Sequence, residues 1–244
     1  MIVNYLEKGW EIITQRAHGL LSAQIAMQWR KKDRPKRWTE TVLAIADHDD
    51  AQIELEANDL LTPLGGPVNY RMKLFEADHC RRLQDFSLSK SRYIGLLSSM
   101  HMVFLHHKEA ESNPEAKHFL NEQIKLQKIW RKELNISEKE TSRIYALMEW
   151  CDAFSLLLCQ HEVQPENRTI EISQGPDKKQ YKLMQNKNGS LTVKPWPFET
   201  VSFKLHVEYR IINQLQFKNC DQFKAELLKA EVTEKVWVME GKIL

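Results

Sequence analysis

Apolar and polar positions divide this chain into two textures. Ile2, Val3, Tyr5 and Leu6, then Trp10, Ile12 and Ile13, predict two short strands within residues 1–14, with Glu7, Lys8 and Gly9 turning between them. Helical spacing follows. Leu20, Leu21, Ile25, Ala26 and Met27 mark a helix over 15–30, and Val42, Leu43, Ile45, Ala46, Ile53 and Leu55 mark a second from about 38 to 58, with Thr39 as a plausible N-cap. Residues 31–37 are a charged connector and 61–67, with two prolines and two glycines, a loop. Further helices are expected over 74–86 (weakly), 88–107, from Pro114 to a break at Asn135, and from the capping box opened by Ser137 to about Cys159. After Val163 the spacing changes to strand-like alternation over 169–173, 180–184, 191–193, 202–212 and 235–239, with a hairpin turn at 186–189 and a short helix over 221–230.

The expected architecture is therefore α+β. A helical body over 1–162, including the two N-terminal strands, is followed by a small antiparallel β-rich part over 163–244. A two-stranded ribbon is marginal alone, so the N-terminal strands should join the C-terminal sheet.

Composition narrows the function classes. The chain has 244 residues, 42% of them apolar, and 35 basic against 33 acidic residues give a net charge of +2. Such a balance makes neither nucleic acid nor an anionic membrane an expected partner. There is no signal-like opening and no long apolar run. The four cysteines form no C-x-x-C pair. A cytoplasmic protein with reduced thiols is the expectation, its oligomeric state left open.

The chemistry is in polar residues that interrupt apolar helical runs. The run 42–50, VLAIADHDD, ends in one histidine and three carboxylates, and an ionised carboxylate is costly to bury unless paired or metal-bound. His18, the His48-Asp49 doublet, His101 and Asp152 all interrupt such runs. Imidazoles and carboxylates from separate helices suit a divalent ion: Mn, Fe, Zn, Co, Ni or Mg. Such an ion acidifies water and polarises a phosphoryl oxygen. The alternatives are a satisfied core histidine at His18, a helix-end charge cluster at His48 and Asp49, and a buried Asp152 paired with a cation such as Arg16.

The order of His, then His-Asp after an apolar helical run, then a lone Asp resembles the HD-domain superfamily of metal-dependent phosphohydrolases. The intervals are 30 residues from His18 to His48 and 103 from Asp49 to Asp152. The resemblance implies a helical bundle with His18, His48, Asp49 and Asp152 as metal ligands, and a small phosphorylated molecule as substrate. Outside the resemblance, His101 reads as a further ligand, a general acid near the leaving group or a core histidine bonded to a carbonyl, and Asp50 as a partner orienting His18 or His48 or a solvated carboxylate; the two are the candidates for assisting catalytic residues. The stretches WEIITQRAHGLLSAQIA, VLAIADHDD, SSMHMVFL and CDAFSLLLC also resemble, over nearly the whole chain, an uncharacterised bacterial family known only as a domain of unknown function. The expected function is hydrolysis of a phosphoester or nucleotide. The alternative is non-catalytic binding of a metal or small ligand, with the β-rich part as an interaction surface.

Other features carry less. Glu76 and His79 make one E-x-x-H, whereas carboxylate-bridged di-iron bundles need two. The pair His106-His107 suits a second metal or a solvated helix end. Lys90, Arg92 and Tyr93 are candidates for a phosphate contact or, more simply, surface charges and a core aromatic. The cysteines read as small apolar core residues.

Overall fold

The computed structural model describes residues 1–51 and 53–241. Two strands open the chain, β1 (Ile2–Leu6) and β2 (Gly9–Ile13), followed by helices α1 (Gln15–Met27) and α2 (Trp38–Ala46). After a long loop come α3 (Ala77–Lys90), α4 (Arg92–His106), α5 (Pro114–Glu133) and α6 (Glu138–Cys159). The remainder is β3 (Thr169–Gln174), β4 (Gln180–Gln185), β5 (Leu191–Lys194), β6 (Ser202–Ile212), α7 (Cys220–Lys229) and β7 (Val232–Glu240). The α+β class stands. No helix among the described residues is long and apolar enough to cross a membrane.

The seven strands form one sheet in the order β1-β2-β6-β7-β5-β4-β3. The N-terminal ribbon joins it as expected, Trp10 lying opposite Ile212. The sheet is larger than the sequence suggested and not wholly antiparallel. The last strand, β7, inserts between β5 and β6, and its long antiparallel register with β6 leaves it parallel to β5, with Leu191 opposite Met239.

Three helix ends differ from expectation. The helix expected over 38–58 ends at Ala46, and Asp47–Ala51 form turns. Three carboxylates within four residues, Asp47, Asp49 and Asp50, sit poorly at the negative end of a helix, and turn geometry disperses them. Gln52, within that expected helix, lies outside the described residues. The start is at Trp38, with Arg37 rather than Thr39 at the N-cap. Further on, the run expected over 88–107 breaks at Ser91, which is extended and accepts the amide of Ile94 as N-cap of α4.

The main core lies between the inner face of the sheet and α1, α2, α4 and α6. Trp150 of α6 is fully buried there, with ring centroids 5.1 Å from Trp29, 5.3 Å from Tyr181 and 6.0 Å from Phe198. A second cluster joins α3, α4 and α5, and a third packs α7 on β1, β2 and β6.

Where α6 meets β3, Glu149 is half-buried. Burial pushes its carboxyl up to about 7, the Ser173 hydroxyl at 2.9 Å offsets part of this, and the charge of Asp152 adds to the rise. A carboxyl raised in the native state holds its proton longer than in the unfolded chain. Stability should therefore fall as pH rises from about 4.5 to about 7. Glu149→Gln is expected to remove that fall, with a gain of about 2 kcal/mol at pH 8 and little change at pH 4. Urea midpoints at the two pH values check this, and an equal shift at both would contradict it.

Candidate metal centre

Thr14 caps α1 by accepting the amide of Ala17, which starts the helix directly after β2. Gln15 and His18, three residues apart, then share one face of its first turn. That face meets the end of α2 closely. A Cβ added at Gly19 would lie 2.3 Å from the carbonyl oxygen of Ala46, so only glycine permits this approach of α1 to the turn that carries His48. Gly19→Ala should force the two apart, costing about 1–3 kcal/mol as overpacking. If His18 and His48 bind a metal together, the same variant should weaken metal binding several-fold, read by competition with a chromophoric chelator.

His18, His48 and Asp152 are buried, and Asp49 sits at their solvent side with 14% of its side chain exposed. Nε2 of His18 is 3.2 Å from Nε2 of His48 and 2.9 Å from Oδ1 of Asp152. Nε2 of His48 lies 3.3 Å from Asp152 Oδ1 and 3.5 Å from Asp49 Oδ2. Four side chains from α1, the turn after α2, and α6 thus converge on one point. Ligand atoms of His18, His48 and Asp49 lie within 4.8 Å of one another, as do those of His48, His101 and Asp152.

The surrounding bonds orient these groups. His48 donates Nδ1–H to the carbonyl of Ile45 at 2.7 Å, which aims Nε2 at the cluster. His18 Nδ1 lies 2.6 Å from Ser155 Oγ. With the proton on Nδ1, Ser155 accepts it and passes its own to the carbonyl of Asp152 at 2.9 Å. Gln15 holds Asp49 by donating Nε2–H to Oδ2 at 2.8 Å.

Two imidazole lone pairs and a carboxylate facing each other repel unless a cation lies between them, either a proton or a metal ion. Without a metal, the proton takes that role. Burial opposes charge on His48, but Asp49 and Asp152 outweigh it and push the imidazole up to about 10. Burial likewise opposes charge on Asp152, and the neighbouring His48 and His18 hold it well below the usual carboxylate range. This donor set, with its outer hydrogen bonds, fits a divalent ion.

His101, from α4, has its ring 5.1 Å from that of His48. Burial, reinforced by the His48 charge, pushes it down to about 4, so it is neutral at pH 7. Its Nδ1 lies 3.3 Å from the hydroxyl of Tyr145, whose own ionisation burial pushes far up. The phenol therefore keeps its proton, and the imidazole proton lies on Nε2 when the phenol donates to Nδ1.

Asp50 stands apart. Its main-chain oxygen accepts from Arg16 at 2.6 Å, and its carboxylate lies 3.7 Å from Arg16 and 3.8 Å from Lys90. Arg16 is thus on Asp50, and Asp152 has the two histidines. Lys90 also bonds Asp47, Arg92 pairs with Glu133, and Tyr93 is a core residue bonded to Thr41.

The cluster forms one end of a cavity of about 270 Å³. Leu83, Met102, Leu105 and Leu156 give the cavity an apolar wall, and Arg71 and Lys73 bring two cations to a lining that also holds Glu76 and Glu109. These two cations arise from a loop without periodicity, so no sequence pattern marks them. The cavity also takes in His79 and His106, whereas His107 is exposed and bonds the carbonyl of Phe104. Tyr145 and Ser155 share the Asp152 face of α6 at helical spacing, which the sequence already shows, whereas nothing in the sequence marks Gln15.

No curated protein and no solved structure matches the chain. A family model described as "Protein of unknown function (DUF3891)" matches residues 1–214. That match covers most of the chain, which therefore belongs to this family of unknown function.

Proposed function

We propose that the protein is a metal-dependent phosphohydrolase with an HD-type centre, acting on a phosphoester or nucleotide. The observation that carries this reading is the convergence of His18, His48, Asp49 and Asp152 at one end of a cavity, with both Nε2 atoms aimed inward by bonds on the opposite ring nitrogens. The three helices α1, α2 and α6 that bring them together fit an HD-like arrangement. A divalent ion held by these four side chains would supply Lewis acidity toward a phosphoryl oxygen and bring the pKa of water near neutrality.

The chain's own groups have distinct tasks. Arg71 and Lys73, on the cavity wall, would anchor the anionic part of the substrate. Both are held in place, Arg71 by Glu162 at 3.2 Å and Lys73 by Asp59 at 3.1 Å. His101, neutral at pH 7, would offer its ring N–H as a hydrogen bond to the charge developing on the leaving oxygen, which water protonates, with Tyr145 keeping the ring in place. The leucine and methionine wall would exclude bulk water from the reacting groups.

The test is turnover of p-nitrophenyl phosphate and bis-p-nitrophenyl phosphate with Mn²⁺, Fe²⁺, Zn²⁺ or Mg²⁺ added. Activity that disappears in Asp152→Ala supports the proposal. A metal-loaded protein inert toward both substrates and toward nucleotides would favour a binding protein without catalysis.

A further inference from the structure

A second cleft, of about 470 Å³, lies at the other ends of α1 and α6. It is formed where Arg30, just beyond α1, and Arg143, near the start of α6, meet the β3–β4 turn and the segment 195–197. Arg30, Lys32, Arg143 and Lys179 line it, against Asp33 and Asp177. Asp177 is already engaged by Lys179 at 3.1 Å and by the Tyr181 hydroxyl at 3.3 Å. Among the described residues, Arg30, Lys32 and Arg143 make no ion pair with any carboxylate, leaving Asp33 as the one opposing charge not already paired.

Arg30 is the most unusual of the three. It is partly buried beside Trp29 and Trp196, each almost wholly inaccessible. One end of its guanidinium donates to the carbonyl of Trp196 at 2.6 Å, and its Nε–H is shielded from solvent with no acceptor among the described residues. A guanidinium in such a place ordinarily has a carboxylate or phosphate beside it. Arg143 donates to the carbonyl of Asp33, at 3.5 Å. A rigid wall of aromatic and proline residues holding a cation without its counter-ion is suited to receive one from outside.

We propose that this cleft is a binding site for a small anion, a phosphate or carboxylate group, with Arg30 as its anchor and Arg143 and Lys32 closing over it. The site is separate from the histidine–aspartate cluster and does not depend on the metal reading.

Calorimetric titration with inorganic phosphate, and separately with acetate, tests it. Both are run with chelator present on the His48→Ala/Asp49→Ala protein, which removes any contribution from the cluster. Saturable binding of either ion is expected, and which one binds identifies the source of the anion. The exposed pair Lys32→Gln/Arg143→Gln should weaken it about tenfold or more, and Arg30→Gln at least as much. Because Arg30 also bonds Trp196, its variant is checked by circular dichroism, and the exposed pair serves as the measure if it unfolds. Absence of saturable binding by either ion would overturn the proposal. So would binding that the exposed pair leaves unchanged.

Discussion

The His48→Ala/Asp49→Ala protein is expected to retain no divalent metal after purification without chelator, where the wild type holds about one or two ions per chain. Two arguments make this the largest functional effect. The pair supplies one of the two imidazoles and one of the two carboxylates that converge, and two ligands do not hold such an ion against solvent. The fold should survive, because both residues lie in the turn after α2 rather than within a helix, and Asp49 is at the solvent edge. Elemental analysis beside far-ultraviolet circular dichroism reads both. A wild type without metal even after incubation with Mn²⁺, Fe²⁺ or Zn²⁺ would leave His48 as a protonated partner of Asp152 and nothing more. Retention should also weaken on acidification, because the ion displaces the proton shared by His48 and Asp152.

Trp150→Ala should be the most destabilising single change, at about 3–5 kcal/mol. The indole is fully buried where α6 meets Trp29, Tyr181 and Phe198, so it joins the helical layer to the sheet. Against a typical domain stability of about 5–15 kcal/mol, that loss is a large fraction of the whole. Trp150→Phe should cost much less. It leaves a smaller void, and it removes an indole N–H that has no acceptor among the described residues. Urea denaturation compares the two, and similar midpoints would show that the tryptophan does not join the layers in this way.

The residues of the cluster could be read from the sequence because burial of polar groups is expensive. A histidine or aspartate inside an apolar helical run therefore stands out, and His18, His48, Asp49 and Asp152 were found in this way. Strand alternation likewise gave β6 with its full extent, and the Ser137 cap gave the start of α6. What could not be read depends on contacts distant in the chain. Beyond the end of α2, Glu54 accepts the amide of Gln15, 39 residues before it, and that bond leaves no periodic trace. Arg71 and Lys73 reach the cavity only because their loop folds across it. Asp50, adjacent to the doublet, was a natural candidate to assist. The turn directs it instead toward Arg16 and Lys90.

The seam between β2 and β6 has a consequence for the order in which this chain can fold. Trp10 pairs with Ile212, so nearly the whole polypeptide is the loop that this seam closes. The entropy of closing such a loop grows only slowly with its length, and the cost falls chiefly on the rate of folding. His18 and His48 can meet as soon as α1 packs on α2, whereas Asp152 arrives only with α6. A chain still emerging from the ribosome would therefore carry an incomplete set of ligand atoms, and the sheet would close last of all.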